Sequence, residues 1–200
     1  MTDVGELMTE RPSTCRPDDV LARAAGILWE RDCGIVPVVG EGDLLVGVIT
    51  DRDCCMASWS TGRPLSELRV DRAMAKNLAV CRATDAVEEA ESRMAEFRVR
   101  RIPVVDGQGR LRGILSIKDL VRHAAALPEG AERRSREKAL LALLAAIGDG
   151  RQQAGVEQPA GDAQASAPAA QPVPPTVLEA APRRARGGES RRKGSAKSRR

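Results

Sequence analysis

Tyrosine is absent from this chain, and Trp29, Trp59 and Phe97 are its only other aromatics of that type in 200 residues. Any core must therefore be assembled from Val, Ile, Leu, Ala and Met. No apolar run approaches the ~18 residues that a membrane helix needs, so no membrane span is expected. The opening Met1-Thr2-Asp3-Val4-Gly5-Glu6 has no basic region ahead of an apolar stretch, so no signal peptide is expected. Five cysteines, an odd number, then read as reduced thiols of a cytoplasmic protein. His123 is the only histidine. No Ser-His-Asp, Cys-His or paired-carboxylate pattern surrounds it, so the sequence gives no basis for an enzyme. The vicinal Cys54-Cys55 lacks the spacing of zinc knuckles, and no metal site is expected.

Charge is present but uneven. The formal net charge is +4. Residues 149–200 carry ten Lys/Arg against five Asp/Glu and residues 129–148 four against three, which leaves residues 1–128 at −2. The basic character thus belongs to the tail. Its last part, Arg183 to Arg200, holds nine cations opposed only by Glu189. Such a run can make weak, salt-dependent contact with nucleic acid or an anionic membrane surface through phosphate attraction. No aromatic residue interleaves for base stacking, which argues against a dedicated single-strand binder.

What the chain does have is one pattern of about 46 residues written twice, offset by 66 positions without gaps. Cys15-Arg16 matches Cys81-Arg82, Asp19 matches Asp85, and Ala24 matches Ala90. Pro37-Val38-Val39 matches Pro103-Val104-Val105, and Leu45 and Gly47 match Leu111 and Gly113. Neither copy is large enough to bury its apolar face alone, so a tandem pair implies one pseudo-symmetric unit.

Each copy reads β-α-β-β-α. In the first, Ser13-Thr14-Cys15 is an expected strand, Pro17-Asp18 a turn and helix cap, and Val20, Ala24, Ile27 and Leu28 an apolar stripe. Ile35 to Val39 is a strand whose proline suggests an edge or bulge. Gly40 to Asp43 turns into a strand from Leu45 to Ile49, and Thr50 caps a short helix. The second copy places Val80 on the first strand and Thr84 at the cap. Val87, Ala90, Met94 and Phe97 form its stripe, and Asp106 to Arg110 a hairpin loop. Ser116 caps a helix ending near Leu127, before Pro128. Residues 132–147 form a further helix, basic at its start. Positive charge there opposes the helix dipole, so this helix needs a partner surface. From Asp149 the composition of Ala, Pro, Gln, Gly and Arg predicts disorder.

Thr50-x-x-Asp53 and Ser116-x-x-Asp119 admit two readings. One is a capping box, with the hydroxyl and the acid exchanging bonds across the first helical turn. The other is an anion site. A helix N-terminus offers free N–H groups, the hydroxyl can bond a phosphate, and the carboxylate can accept two ribose hydroxyls. Gly47 and Gly113 allow close approach of a ligand or a neighbouring strand.

The repeated Met-x lead-in (Met8-Thr9, Met74-Ala75), the polar turn and helix, the Pro-Val-Val strand and the Gly-x-x-(Thr/Ser)-x-x-Asp ending resemble a tandem of cystathionine β-synthase (CBS) domains, or Bateman module. The resemblance covers residues 4–127. It implies an α/β (α+β) fold in which two repeats pack as a pseudo-two-fold pair with two clefts, and a homodimer. The boundaries expected are 1–62 and 63–128 for the repeats, 129–148 for the helix and 149–200 for the disordered basic tail. It also implies regulatory binding of an adenosine nucleotide (AMP, ADP, ATP or another adenosyl compound), with no cofactor required. In this frame the cleft of Ser116 and Asp119 takes Ser13, Cys33 and Gly34 around the base and Arg100 and Arg101 towards the phosphates. The cleft of Thr50 and Asp53 has Gly34 and Ile35 where those arginines would stand. The expected function is energy or metabolite sensing that acts in trans on a partner protein. The competing expectation is a dimerising adaptor with degenerate clefts and a basic tail.

Overall fold

The computed structural model describes residues 2–148. The expected disordered tail and its Arg183–Arg200 run lie outside the described residues. The elements in order are α1 (Val4–Leu7), β1 (Thr9–Glu10), α2 (Leu21–Glu30), β2 (Val36–Val39), β3 (Leu45–Ile49), α3 (Asp51–Thr61) and α4 (Val70–Ala73). The second copy supplies β4 (Cys81–Arg82), α5 (Val87–Glu96), β5 (Arg101–Val105), β6 (Leu111–Ser116) and α6 (Ile117–Ala126), and α7 (Ala131–Gly148) follows.

One sheet has the order β1-β6-β5-β4, and the other is the hairpin β2-β3. Single bridges from Cys15 to Val38 and from Ala75 to Val48 widen the hairpin. They stand 66 residues from the pairs Cys81–Val104 and Thr9–Ile114 of the larger sheet. The expected strand Ser13-Thr14-Cys15 is therefore reduced to one bridging residue, and the strand expected around Val80 begins one residue later. Pro37 sits between two neighbours without cost. The Cys15 bridge uses the Pro37 carbonyl (3.1 Å) and the Val39 amide (2.9 Å), so nothing requires an N–H at Pro37. The register slips one residue beyond it, between Val38 and Val39, and again between Val104 and Val105. The Asp106–Arg110 loop closes as expected: Asp106 Oδ1 accepts from the amides of Gln108 and Arg110, both at 2.9 Å.

The helix caps differ from expectation. Helix α2 starts after Val20 and α5 after Ala86, and neither has a side-chain cap. Asp19 and Asp85 instead close the preceding turns, accepting from the amides of Arg16 (2.7 Å) and Arg82 (2.8 Å). The first free helical N–H groups find backbone carbonyls from elsewhere in the chain. The amide of Leu21 donates to the Leu68 carbonyl at 2.7 Å, and that of Val87 to the Thr2 carbonyl at 3.3 Å. The caps are tertiary, so no local cap residue is needed.

Those carbonyls belong to lead-in segments that are exchanged between the copies. The segment before the first copy packs on the second: the amides of Val4 and Gly5 donate to Asp85 and Ala83 carbonyls at 3.0 and 2.8 Å. The segment before the second copy packs on the first: the amides of Val70 and Asp71 donate to Asp19 and Pro17 carbonyls, each at 2.9 Å. Val4 and Val70 are both fully buried. A Cβ on Gly113 would lie 2.6 Å from Met8 Sδ, and one on Gly47 2.6 Å from Met74 Sδ. These glycines admit a neighbouring strand, which settles that alternative against a ligand.

Each copy has its own core. One gathers Leu21, Ala24, Val36, Val38, Ile49 and Cys54 with Leu68 and Val70. The other gathers Val4, Val87, Met94, Ile102, Val104, Leu115 and Leu120 with Leu140 and Leu143 of α7. Helix α7 thus has the partner surface its sequence demands, lying against α5 and α6. Burying its two leucines contributes about 1.5–3 kcal/mol each. Arg136 adds a clamp, donating to Glu88 Oε1 and Glu91 Oε1 at 2.8 Å each. Burial pushes the Glu91 carboxyl above its ordinary pKa, with the Arg136 charge opposing that shift.

The exchange predicts how fragments behave. Residues 1–66 carry the lead-in of the other copy and lack 67–75, and residues 67–128 have the reverse defect. Neither fragment should melt cooperatively alone, whereas a mixture should regain a cooperative transition by circular dichroism. Two halves that are stable separately would overturn the exchanged arrangement.

Candidate functional site

The ends of β3 and β6 run directly into α3 and α6, and both junctions form the capping box. Asp53 Oδ2 accepts from the Thr50 amide at 2.8 Å and from Thr50 Oγ1 at 2.6 Å. The Asp53 amide donates to Thr50 Oγ1 at 3.3 Å. Asp119 Oδ2 accepts from the Ser116 amide at 3.0 Å and from Ser116 Oγ at 2.5 Å. Each hydroxyl proton is thus committed to its own carboxylate, and a phosphate would have to displace it. Both cap bonds of each carboxylate are made by Oδ2 and none by Oδ1. That oxygen of Asp119 stands 3.7 Å from an Arg122 guanidinium nitrogen. Among the described residues, Asp53 Oδ1 has no such partner.

The two junctions differ in the cations they gather. Arg101 opens β5 and pairs in register with Ser116. Its guanidinium lies across Gly34 of the first copy: a Cβ there would meet Arg101 Nη1 at 2.7 Å. Arg101 thus links Ser116, its partner in the strand register, to Gly34 of the other copy. Arg100 is exposed, and its carbonyl accepts from the Ile117 amide at 3.1 Å, which ties it to the first turn of α6. At the Thr50 junction the matching positions are Gly34 and Ile35, and Ile35 is buried at 8% exposure. No guanidinium starts β2.

Two expected members are not joined to this group by any hydrogen bond. Cys33 is half-buried and turns its thiol to the Ile27 carbonyl of the preceding helix, α2, at 3.8 Å. Ser13 is half-buried on the approach to the Cys15 bridge. Arg122, in contrast, escaped the sequence reading. Its spacing of three from Asp119 was the available signal, since residues i and i+3 share a helix face.

An open groove of about 710 Å³ lies at the other end of the strands, by Val39, Val105 and Leu111. It is lined by Arg11, Arg82 and Arg112 but also by Glu10, Asp43 and Asp106, and Arg112 is paired with Asp106 at 2.9 Å. None of the candidate residues lines it.

The thiols divide by burial. Burial pushes Cys15 and Cys81 up to about 12 and Cys54 to about 11. Cys55 is exposed although it adjoins Cys54. Among the described residues no three His, Cys, Asp or Glu side chains cluster as metal ligands.

The CBS domain model matches residues 4–60 and 67–126. CBS domain-containing protein YhcV of Bacillus subtilis is 32% identical over 120 residues, 60% of this chain and 84% of YhcV. Hypoxic response protein 1 of Mycobacterium tuberculosis is 30% identical over 131 residues, 66% of this chain and 89% of its own length. Its solved structure, described with two coordinated zinc ions, aligns with TM-score 0.57 at 28% identity, covering 64% of this chain and all of that one. The solved CBSX2 structure in complex with AMP aligns with TM-score 0.55 at 29% identity, covering 62% of this chain and 97% of that one. The matched region is a tandem pair of CBS domains.

Thiol titration with an aromatic disulfide at pH 8 should modify Cys55 rapidly in the native protein. Cys15, Cys54 and Cys81 should react only on unfolding, because a buried thiol with a pKa of about 11–12 forms almost no thiolate there. Fast modification of Cys54 would contradict its placement in the core.

Proposed function

Because this chain belongs to the CBS-domain family, we propose that it is a regulatory module that binds an adenosine nucleotide at the Ser116–Asp119 junction. The observation carrying this reading is Arg101, which pairs in register with Ser116 and lays its guanidinium across Gly34 of the other copy. A phosphate between Arg101 and the α6 N-terminus would gain charge-assisted hydrogen bonds and a favourable helix dipole. Asp119 Oδ1 would accept from ribose hydroxyls, with Arg122 moving aside. Arg100 adds a second exposed cation, and Ser13, Cys33 and Gly34 would border the base. The Thr50–Asp53 junction has the same cap without the guanidinium and would bind more weakly. A ligand held by both copies would favour one relative arrangement of them, and a partner protein would read that arrangement in trans. AMP, ADP, ATP and other adenosyl compounds share the required ribose. The bound AMP of the CBSX2 structure supports this class.

A second reading has its own observation. Both hydroxyls are already satisfied inside capping boxes, which is what a binding-free adaptor would show.

Calorimetry separates the two. Asp119→Ala and Asp53→Ala should each lose about 1 kcal/mol of stability as the cap is removed. Only Asp119→Ala should also lose about 1.5–3 kcal/mol of nucleotide affinity. Arg101→Ala should weaken ATP and AMP far more than adenosine. Binding abolished by Asp53→Ala and untouched by Asp119→Ala would reverse the assignment. No binding of any adenosyl compound at millimolar concentration would favour the adaptor.

A further inference from the structure

Asp119 has one oxygen left over from its cap. Oδ2 takes both bonds from Ser116, and Oδ1 stands 3.7 Å from a guanidinium nitrogen of Arg122. Asp119 is 12% exposed and Arg122 66% exposed. At that distance the pair is looser than a hydrogen bond, and an exposed i,i+3 pair adds little to stability. A ligand can part it at small cost.

The repeat supplies the comparison. Three residues beyond Asp53, at the position matching Arg122, stands Met56. The capping box forms in both copies, so the cap does not require a cation there. Packing does not require one either, since Arg122 lies outside the core. The exposed Lys118 is matched by Arg52 and so does not distinguish the copies. What Arg122 changes is the charge met by whatever takes Oδ1. A bare carboxylate attracts a cation and repels a phosphate, and Arg122 offsets both effects.

We propose that Arg122 sets the ligand class of the Ser116–Asp119 junction. It selects adenosine carrying a 5′-phosphate over adenosine carrying a 5′-thioether or 5′-sulfonium. This inference rests on the nucleotide reading above and narrows it from adenosyl compounds to adenine nucleotides. Every adenosyl ligand brings the same ribose diol and competes with Arg122 for Oδ1 equally, so that competition cancels in a ratio of affinities. The charge at the 5′ position does not cancel. Over roughly 8 Å, the span of a ribose and its 5′ substituent, one unit charge shifts affinity roughly 2- to 6-fold in an effective dielectric of about 40–80. AMP carries nearly two negative charges at neutral pH and S-adenosylmethionine one net positive charge, about three units apart.

Arg122→Met installs the first copy's own residue. It should keep the wild-type circular dichroism and melting, because an exposed pair contributes little. Calorimetry on the full chain then compares AMP, 5′-methylthioadenosine and S-adenosylmethionine, which the wild type should bind in that order of falling affinity. In Arg122→Met the ratio of AMP to S-adenosylmethionine affinity should fall by roughly 10-fold or more, with the neutral thioether moving least. Arg122→Lys should keep most of the wild-type ratio. Raising NaCl from about 50 to about 500 mM should shrink the ratio more in the wild type than in Arg122→Met, since screening acts on charge and not on shape. An unchanged ratio in Arg122→Met, or an equal loss for all three ligands, would overturn selection by Arg122 and leave nucleotide binding itself standing. A wild type that binds S-adenosylmethionine more tightly than AMP would do the same. A wild type that binds none of the three at millimolar concentration would overturn the nucleotide reading, and this inference with it.

Discussion

The exchange of lead-in segments is the constraint on which the rest of this structure depends. Residues 2–10 complete the second copy and residues 67–75 the first. Each lead-in supplies a buried valine, a strand edge and the carbonyl that satisfies the first turn of a helix. Gly47 and Gly113 are fixed by it, since any Cβ would strike a methionine sulfur and a backbone carbonyl of the incoming segment. Two small cores that would each be marginal alone are thereby made to fold together. The Gly34–Arg101 contact also spans the copies, as does the Leu45 amide, which donates to the Gly109 carbonyl at 3.0 Å.

On that symmetric frame the two copies differ at a few positions. Arg101 replaces an isoleucine, and Arg122 stands where the first copy has Met56. Asp119 thus has a guanidinium 3.7 Å away on its own helix, where the matching position beside Asp53 is a methionine. Glu88 and Glu91 replace alanines, and this is what selects the face on which α7 settles. The Glu91 half of their clamp on Arg136 is nearly dry, with side-chain exposures of 14% for Arg136 and 11% for Glu91, whereas Glu88 is 58% exposed. Removing one partner of such a pair leaves an uncompensated buried charge, so the clamp is worth more as a selector of position than as net stability.

The site was partly legible in sequence. The hydroxyl–acid pairs were visible because a capping box is written in four consecutive residues, and both form. The meeting of Gly34 with Arg101 was expected from family resemblance and is found. The turn of Cys33 towards Ile27 was not legible, since the rotamer of a thiol depends on the helix packed beside it. The caps of α2 and α5 were misplaced for a similar reason. Sequence rules look for a polar side chain within one turn, whereas the acceptors here are carbonyls of Leu68 and Thr2, 47 and 85 residues from the amides they satisfy.

By itself, the sequence determined the two copies, the order of elements within each, the turn at Asp106 and the helix that α7 becomes. All of these follow from short-range periodicity, glycine and proline placement, and local hydrogen-bonding residues. Tertiary structure decided which lead-in serves which copy, which glycines face a strand, which face α7 covers and which it leaves to Trp29 and Trp59. Those outcomes depend on contacts between residues far apart in the chain. A pattern repeated at an offset of 66 positions makes the two choices locally alike, and only packing distinguishes them.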